Sequence, residues 1–300
     1  MTIKRLDLLQ PTTLDEASRL YQEHADDASY IAGGTALLIM LRERVYQPGY
    51  LIDLKTIAGL DGIRHEPGVG LRLGALASHR DVELSPVVRE RLPVLAETYR
   101  QVGNVRVRHA ATVGGNLAHG DFRLDPPAPL IALHASARIV GADGERTVPL
   151  EEFFLGLYTT ALEPGEVLAE VIVPDPPPRT HAAYLKYTSL SAMDWPCLGV
   201  AAAATLAEDG TFADLRLVYT SVSSTPLLVQ GAADLARGIQ AADAAAVQRL
   251  AAELGRLAAE QVDPTPDIRG SEWYKREMTR VFAGRALRAA LARGGVLSSE

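Results

Sequence analysis

The sequence predicts an α+β protein in three consecutive parts, residues 1–56, 57–176 and 177–300. Three observations carry that expectation. The first part alternates strand-like and helix-like runs around a diglycine. The second holds tight-hairpin signals. A proline cluster then introduces three strand-like runs followed by two helical ones.

In the first part, Thr13 can cap a helix over residues 14–21, where Leu14, Ala17, Leu20 and Tyr21 recur at helical spacing. Residues 29–32 form a short strand pattern running into Gly33 and Gly34. Residues 35–41 then read as a helix and 50–54 as a buried strand. The result is a compact β-α-β unit with glycines at its first turn.

In the second part, residues 66–70 (Glu-Pro-Gly-Val-Gly) separate two apolar runs, and Asp143-Gly144 joins 137–140 to 146–149. An Asp-Gly pair supplies the positive φ angles that a tight hairpin needs. Residues 90–99 are helical in pattern and lead to the basic segment 105–108, and 167–173 read as a strand. Four prolines within residues 174–178 stiffen the exit.

In the third part, strands are expected at 183–189, 198–206 and 213–221, forming a three-stranded antiparallel sheet. Two helical stripes follow, Val247, Leu250, Leu254 and Leu257, then Tyr274, Met278, Val281 and Phe282.

Composition narrows the function. Thirty Lys plus Arg stand against 37 Asp plus Glu, a net charge of −7, without a long basic run. Nucleic acid and anionic membranes are therefore poor partners. No apolar run reaches the 18 or more residues of a membrane span, and the start lacks a signal-peptide pattern. One cysteine, Cys197, forbids a disulfide or a Cys-ligated cluster within the chain and fits a reducing, cytoplasmic setting. The seven histidines show no metal-binding spacing. Cys197 reads as a core residue, His119 as a loop residue facing water, and Trp273 and Tyr274 as packing.

The chemistry concentrates in two segments, residues 31–38 (Ile-Ala-Gly-Gly-Thr-Ala-Leu-Leu) and 111–118 (Ala-Thr-Val-Gly-Gly-Asn-Leu-Ala). A diglycine lets another group approach the backbone closely, and successive amides turned the same way bind anions. Two such loops can clasp the phosphates of a dinucleotide. Either one alone reads more readily as an ordinary tight turn, and the pair together is the stronger signal. The phosphate-loop and dinucleotide fingerprints are absent, since the triplet Gly68-Val-Gly70 has Leu73 where a third glycine belongs.

The strings AGGTALLIMLRERVYQPGYLIDLKTI and VRVRHAATVGGNLAHGDFRLDPPAPLIAL resemble the two flavin loops of the FAD-binding medium subunits of the molybdenum hydroxylases. These are the carbon monoxide dehydrogenase and xanthine dehydrogenase relatives, with a PCMH-type FAD-binding fold. The likeness continues through EEFFLGLYTTALEPGEVLAEVIVP, AYLKYTSLSAMDWPCLGVAAAATL and PTPDIRGSEWYKREMTRVFAGRAL. It implies an FAD-binding region of two subdomains and a smaller α+β C-terminal domain.

It also implies a site. Ala32, Gly33, Gly34, Thr35, Leu37 and Leu38, with Ala36 in the same loop, would line the pyrophosphate, together with Thr112, Gly114, Gly115 and Asn116. Asp125 would lie near the ribose or adenosine, Lys186 and the Leu162 backbone near the isoalloxazine, and Val102 and Gly103 against the flavin. Read on residues alone, Asp125 is better read as capping a turn before Pro126, and Lys186 can be a solvated strand lysine. Arg106 and Arg108 either neutralise the pyrophosphate or form surface ion pairs. Ala36 stands where many relatives have Asp or Ser, residues 119–122 replace a more usual stretch, and the arginine many relatives carry before Asp194 is absent.

The resemblance further implies a function: electrons arrive from [2Fe–2S] centres on a small partner subunit, fed by a large molybdopterin subunit, in a dimer of heterotrimers. Neither a catalytic residue nor a metal site is then expected on this chain. A free-standing flavin reductase on the related fold and a flavin-free assembly subunit are the alternatives.

Overall fold

The structure is a computed structural model and describes residues 6–297. Three strands, β1 (Asp7–Leu9), β2 (Ala28–Ile31) and β3 (Tyr50–Asp53), form a parallel sheet in the order β1-β3-β2. The helix Leu14–His24 connects β1 to β2, its N-terminus capped by the Thr13 side chain. The helix Leu37–Arg42 connects β2 to β3, as the β-α-β pattern requires. Strand β1, only three residues long, lies outside the sequence reading.

The second sheet contains β4 (Ile63–Glu66), β5 (Gly70–Gly74), β6 (Ser136–Gly141) and β7 (Gly144–Pro149). A small ribbon, β8 (Phe154–Gly156) and β9 (Thr159–Thr160), precedes the central strand β10 (Val167–Val173). The order is β4-β5-β10-β6-β7, with every pair antiparallel. Gly144 alone supplies a positive φ, +121°, at the β6–β7 turn, so Asp143 does not share that role as expected.

The helical pattern at 90–99 is two helices, Pro86–Arg91 and Pro93–Arg100. The break falls at Leu92 because Pro93 has no N–H to donate and restricts the residue before it. The basic segment belongs to a further helix, Val105–Ala110. The second diglycine is not a loop but the first turn of the helix Val113–His119, capped by Thr112. Glycine is needed there: a Cβ on Gly114 would stand 2.6 Å from Ala75 Cβ, where the helix lies against the chain leaving β5.

The third sheet holds β11 (Thr180–Tyr187), β12 (Leu198–Leu206), β13 (Phe212–Thr220) and a short fourth strand, β14 (Leu227–Leu228), in that order. The expected three-stranded sheet therefore has an extra edge. The unbroken apolar run of β12 reflects burial on both faces. Ala201 and Ala203 face the core shared with the second sheet, while Val200, Ala202 and Ala204 face the helices Ala244–Gln261 and Glu272–Arg293. No helix among the described residues is long and apolar enough to cross a membrane.

Candidate functional site

A cleft of about 490 Å³ opens where the three sheets meet, within the size range of ligand sites. One wall is the turn from β2 into the helix Leu37–Arg42. The opposite wall is the helix Val113–His119 with residues 102–107, and the C-terminal sheet adds Lys186 and residues 193–195.

The two glycine segments touch. A Cβ on Gly33 would lie 2.0 Å from Ala110 O, and one on Gly115 would lie 3.7 Å from Ala32 Cβ. Only a residue without a side chain lets the first loop sit against the backbone leading into the second. Gly34 has φ +69°, which turns the chain sharply before the helix. Among the described residues, the N–H groups of Gly33 through Leu37 meet no hydrogen-bond acceptor. Five successive donors left free at one turn are groups from which an anion-binding concavity can be built.

The second segment is different. Val113 and Gly114 donate to Ala77 O and Ala75 O at 2.9 and 2.8 Å. Gly115 donates to Thr112 Oγ1 at 3.1 Å, and Asn116 to Thr112 O at 2.9 Å. Its amides are consumed by the fold, so the expected symmetrical clasp is one-sided. What this segment offers is the Asn116 side chain, whose Oδ1 is buried without a partner.

A buried polar group closes the cleft at the C-terminal sheet. Lys186 Nζ donates to Asp125 Oδ2 at 2.9 Å and to Gln101 O at 3.0 Å, and Tyr184 donates to Asp125 Oδ1 at 2.5 Å. Burial pushes the Asp125 carboxyl up, against the pull of Lys186 and Tyr184. The same turn is gripped from behind by Arg108, which donates to Val102 O and Gly103 O at 3.2 and 3.0 Å. Arg108 also pairs with Glu83 at 2.9 Å, which resolves its role as structural, while Arg106 is exposed.

At the rim, Arg123 pairs with Asp121 at 2.7 Å and lies over the Trp195 ring at 5.1 Å. Arg269 lies over the same ring at 5.5 Å and pairs with Asp194 at 2.7 Å. These contacts tie residues 121–123 to the C-terminal part across the cleft. Burial opposes ionisation of Asp121, but Arg123 holds its carboxyl below the usual range. His119 is half-buried against Tyr158 rather than facing water, and burial lowers its pKa.

Residues 4–176 match the family described as the FAD binding domain in molybdopterin dehydrogenase, and residues 165–290 match the CO dehydrogenase flavoprotein C-terminal domain. The chain belongs to this family of flavoprotein subunits. It is similar to the carbon monoxide dehydrogenase medium chain of Hydrogenophaga pseudoflava, 37% identical over 96% of this chain and 98% of that one. It is also similar to subunit alpha of the 6-hydroxypseudooxynicotine dehydrogenase complex of Paenarthrobacter nicotinovorans, 31% identical over 96% of this chain and 95% of that one. The solved carbon monoxide dehydrogenase from Hydrogenophaga pseudoflava that lacks the Mo-pyranopterin moiety superposes with a TM-score of 0.90, covering 98% of this chain and 99% of the other. The chain is thus an FAD-binding oxidoreductase subunit of the molybdenum hydroxylase type.

Within this flavoprotein subunit, every site residue expected from sequence lines the cleft except Leu38, which stands about half exposed on its short helix. Asp125 and Lys186, expected near different parts of the cofactor, are joined in one ion pair of 2.9 Å. Among the lining groups that the sequence reading did not single out are His79, Trp195 and Arg123. Only the Asp-x-Arg pattern of Asp121 and Arg123 gave a local signal. Cys197 is buried, as expected of a core residue.

Proposed function

We propose that this chain carries FAD as the electron-transfer subunit of a heteromeric molybdenum hydroxylase, taking electrons from [2Fe–2S] centres on a small partner subunit and passing them to an external acceptor. The observation that carries the reading is the turn at Gly33–Leu37, where five free amides meet an otherwise largely apolar cleft shared by all three sheets. FAD fits these groups. The free amides suit a pyrophosphate, the orphaned Asn116 Oδ1 suits a hydroxyl or amine donor, and Ile31, Leu54, Leu162 and Leu168 offer apolar walls for ring systems.

The residues then divide the work. Gly33, Gly34, Thr35, Ala36 and Leu37 hold the anion, while Ala32, Thr112, Gly114 and Gly115 keep the loops in contact. Val102, Gly103, Asp125, Leu162 and Lys186 shape the remainder of the cleft, with Leu38 bracing the first turn from outside. When bound, FAD supplies storage for two electrons that can leave singly or as a hydride. Lys186 stabilises negative charge beside it, oriented by Asp125 and Gln101 O.

The lone cysteine supports a relay on another polypeptide, because each iron–sulfur cluster needs four ligands. Among the described residues no group of His, Cys, Asp and Glu can hold a metal ion. The partners of this reading are a small [2Fe–2S] subunit and a large molybdopterin subunit, assembled as a dimer of heterotrimers in the cytoplasm. A division at residues 56 and 176 is supported by each main sheet lying within one segment.

The test is purification of the chain with its neighbours. Bound FAD in the absorption spectrum, with iron and molybdenum in copurifying chains, supports the reading. A flavin-bearing chain that reduces a substrate alone supports the reductase alternative. A colourless chain that takes up no FAD within its complex ends both.

A further inference from the structure

His79 has no part in the function described so far. Its side chain is fully buried, it lines the cleft, and neither Nδ1 nor Nε2 makes a hydrogen bond of acceptable geometry within the protein. Its backbone is held firmly. The N–H donates to Ala111 O at 2.9 Å, and Ser78 and Asp81 form a capping box around the helix His79–Leu84. The ring meets Tyr99 edge-on at 5.0 Å, and the Tyr99 hydroxyl is itself buried without a partner. The Thr112 main chain lies close enough to the imidazole to pull its pKa up, but the contact falls short of hydrogen-bond geometry.

A buried imidazole without partners is costly, and an apolar ring of the same shape would be cheaper at this position. Such an orphaned group demands an explanation. The position supplies one. Ala111 holds the His79 backbone and directly follows Ala110, the residue whose carbonyl abuts Gly33. The ring therefore sits at the seam where the two glycine segments meet.

We propose that His79 is a cofactor-binding residue, an uncharged imidazole that hydrogen-bonds a polar atom of the dinucleotide held at the seam between the two glycine segments. The proposal rests on the FAD reading above. Burial, partly opposed by the Thr112 main chain and reinforced by nearby Arg108, lowers the imidazole pKa to about 4, so at neutral pH the ring presents one donor and one acceptor. It can satisfy an oxygen or nitrogen of the cofactor without adding charge to the cleft.

The test measures FAD dissociation constants and apoprotein stability for the full chain, its His79→Phe variant and its His79→Gln variant. His79→Phe is expected to weaken FAD binding roughly two- to tenfold while raising the urea midpoint of the apoprotein, because the orphaned nitrogens are gone. His79→Gln is expected to recover part of the affinity. A purely structural histidine would show the reverse, a less stable apoprotein with unchanged affinity, and that result overturns the proposal. Nitrogen NMR of the wild-type imidazole gives an independent reading should a variant fail to fold. Resonances that move on saturation with FAD support the contact, and resonances that stay fixed overturn it. Wild-type protein that binds no FAD defeats the FAD reading and this proposal together, whereas wild-type and His79→Phe proteins that bind FAD equally defeat the proposal alone.

Discussion

Gly33 stands so close to Ala110 that an added Cβ would lie 2.0 Å from the Ala110 carbonyl oxygen. The first glycine turn is thereby pressed onto the backbone that precedes the second, although the two lie in different sheets' connections.

Replacing Gly33 with alanine must push these segments apart. Gly33→Ala is expected to destabilise the fold by about 1–3 kcal/mol and to abolish tight FAD binding. Gly62→Ala is the control, because its Cβ would meet only Arg64 Nη1 at 3.7 Å. Chemical denaturation and flavin content of both variants check the expectation, and equal behaviour of the two contradicts it.

Lys186 is the cation buried beside Asp125. Lys186→Met strands that carboxylate and is expected to cost about 3–5 kcal/mol. Lys186→Met/Asp125→Asn should recover most of the loss. In protein that retains FAD, Lys186→Met should shift the flavin midpoint potential to more negative values, since a positive charge no longer favours the reduced form. Spectroelectrochemistry reads this directly, and an unmoved potential removes Lys186 from the flavin's surroundings.

Glu170 on β10 is buried and meets Arg72, Arg64 at 3.1 Å and Arg138 at 3.5 Å. Burial opposes its ionisation, but the three guanidinium groups hold its pKa below the ordinary 4.5. A carboxyl whose folded pKa is depressed contributes stability above its unfolded pKa and loses it as pH falls through the folded value. Glu170→Gln should therefore cost at most about 3–5 kcal/mol at neutral pH, with a smaller penalty in acid. Urea titrations at pH 7 and at progressively lower pH test the convergence.

The sign for His79 is governed by the other protonation state. Its folded pKa of about 4 lies below the unfolded 6.5, so the unfolded chain binds more protons between those values. Arg108, Tyr99 and the Thr112 main chain are the groups around it. Stability of the apoprotein should fall as pH drops through this window, by up to about 1.4 kcal/mol per pH unit. His79→Phe should lack that component, and identical slopes for the two proteins would refute it.

Much of this architecture was readable from local chemistry. Strand β10 was placed to the residue because its seven apolar-rich positions end at Pro174. The hairpin at Asp143-Gly144 followed from turn preference, although one positive φ sufficed. The helix Val113–His119 was not legible, because two glycines argue against a helix until the close approach of Ala75 is known. The glycine segments announced a site, but not which one keeps free amides, since that depends on carbonyls of residues 75 and 77 reaching across from β5. The Asp125–Lys186 pair joins positions 61 apart with no local pattern to link them. His79 looked like one of several scattered histidines, because solitude inside a fold leaves no trace in sequence.

The missing side chain at Gly33 also limits how this protein can be rebuilt. Since one turn is fitted to the main chain of the other, a chimera borrowing either glycine motif from a relative inherits a surface shaped for an absent neighbour. Grafts should succeed only when both motifs travel together.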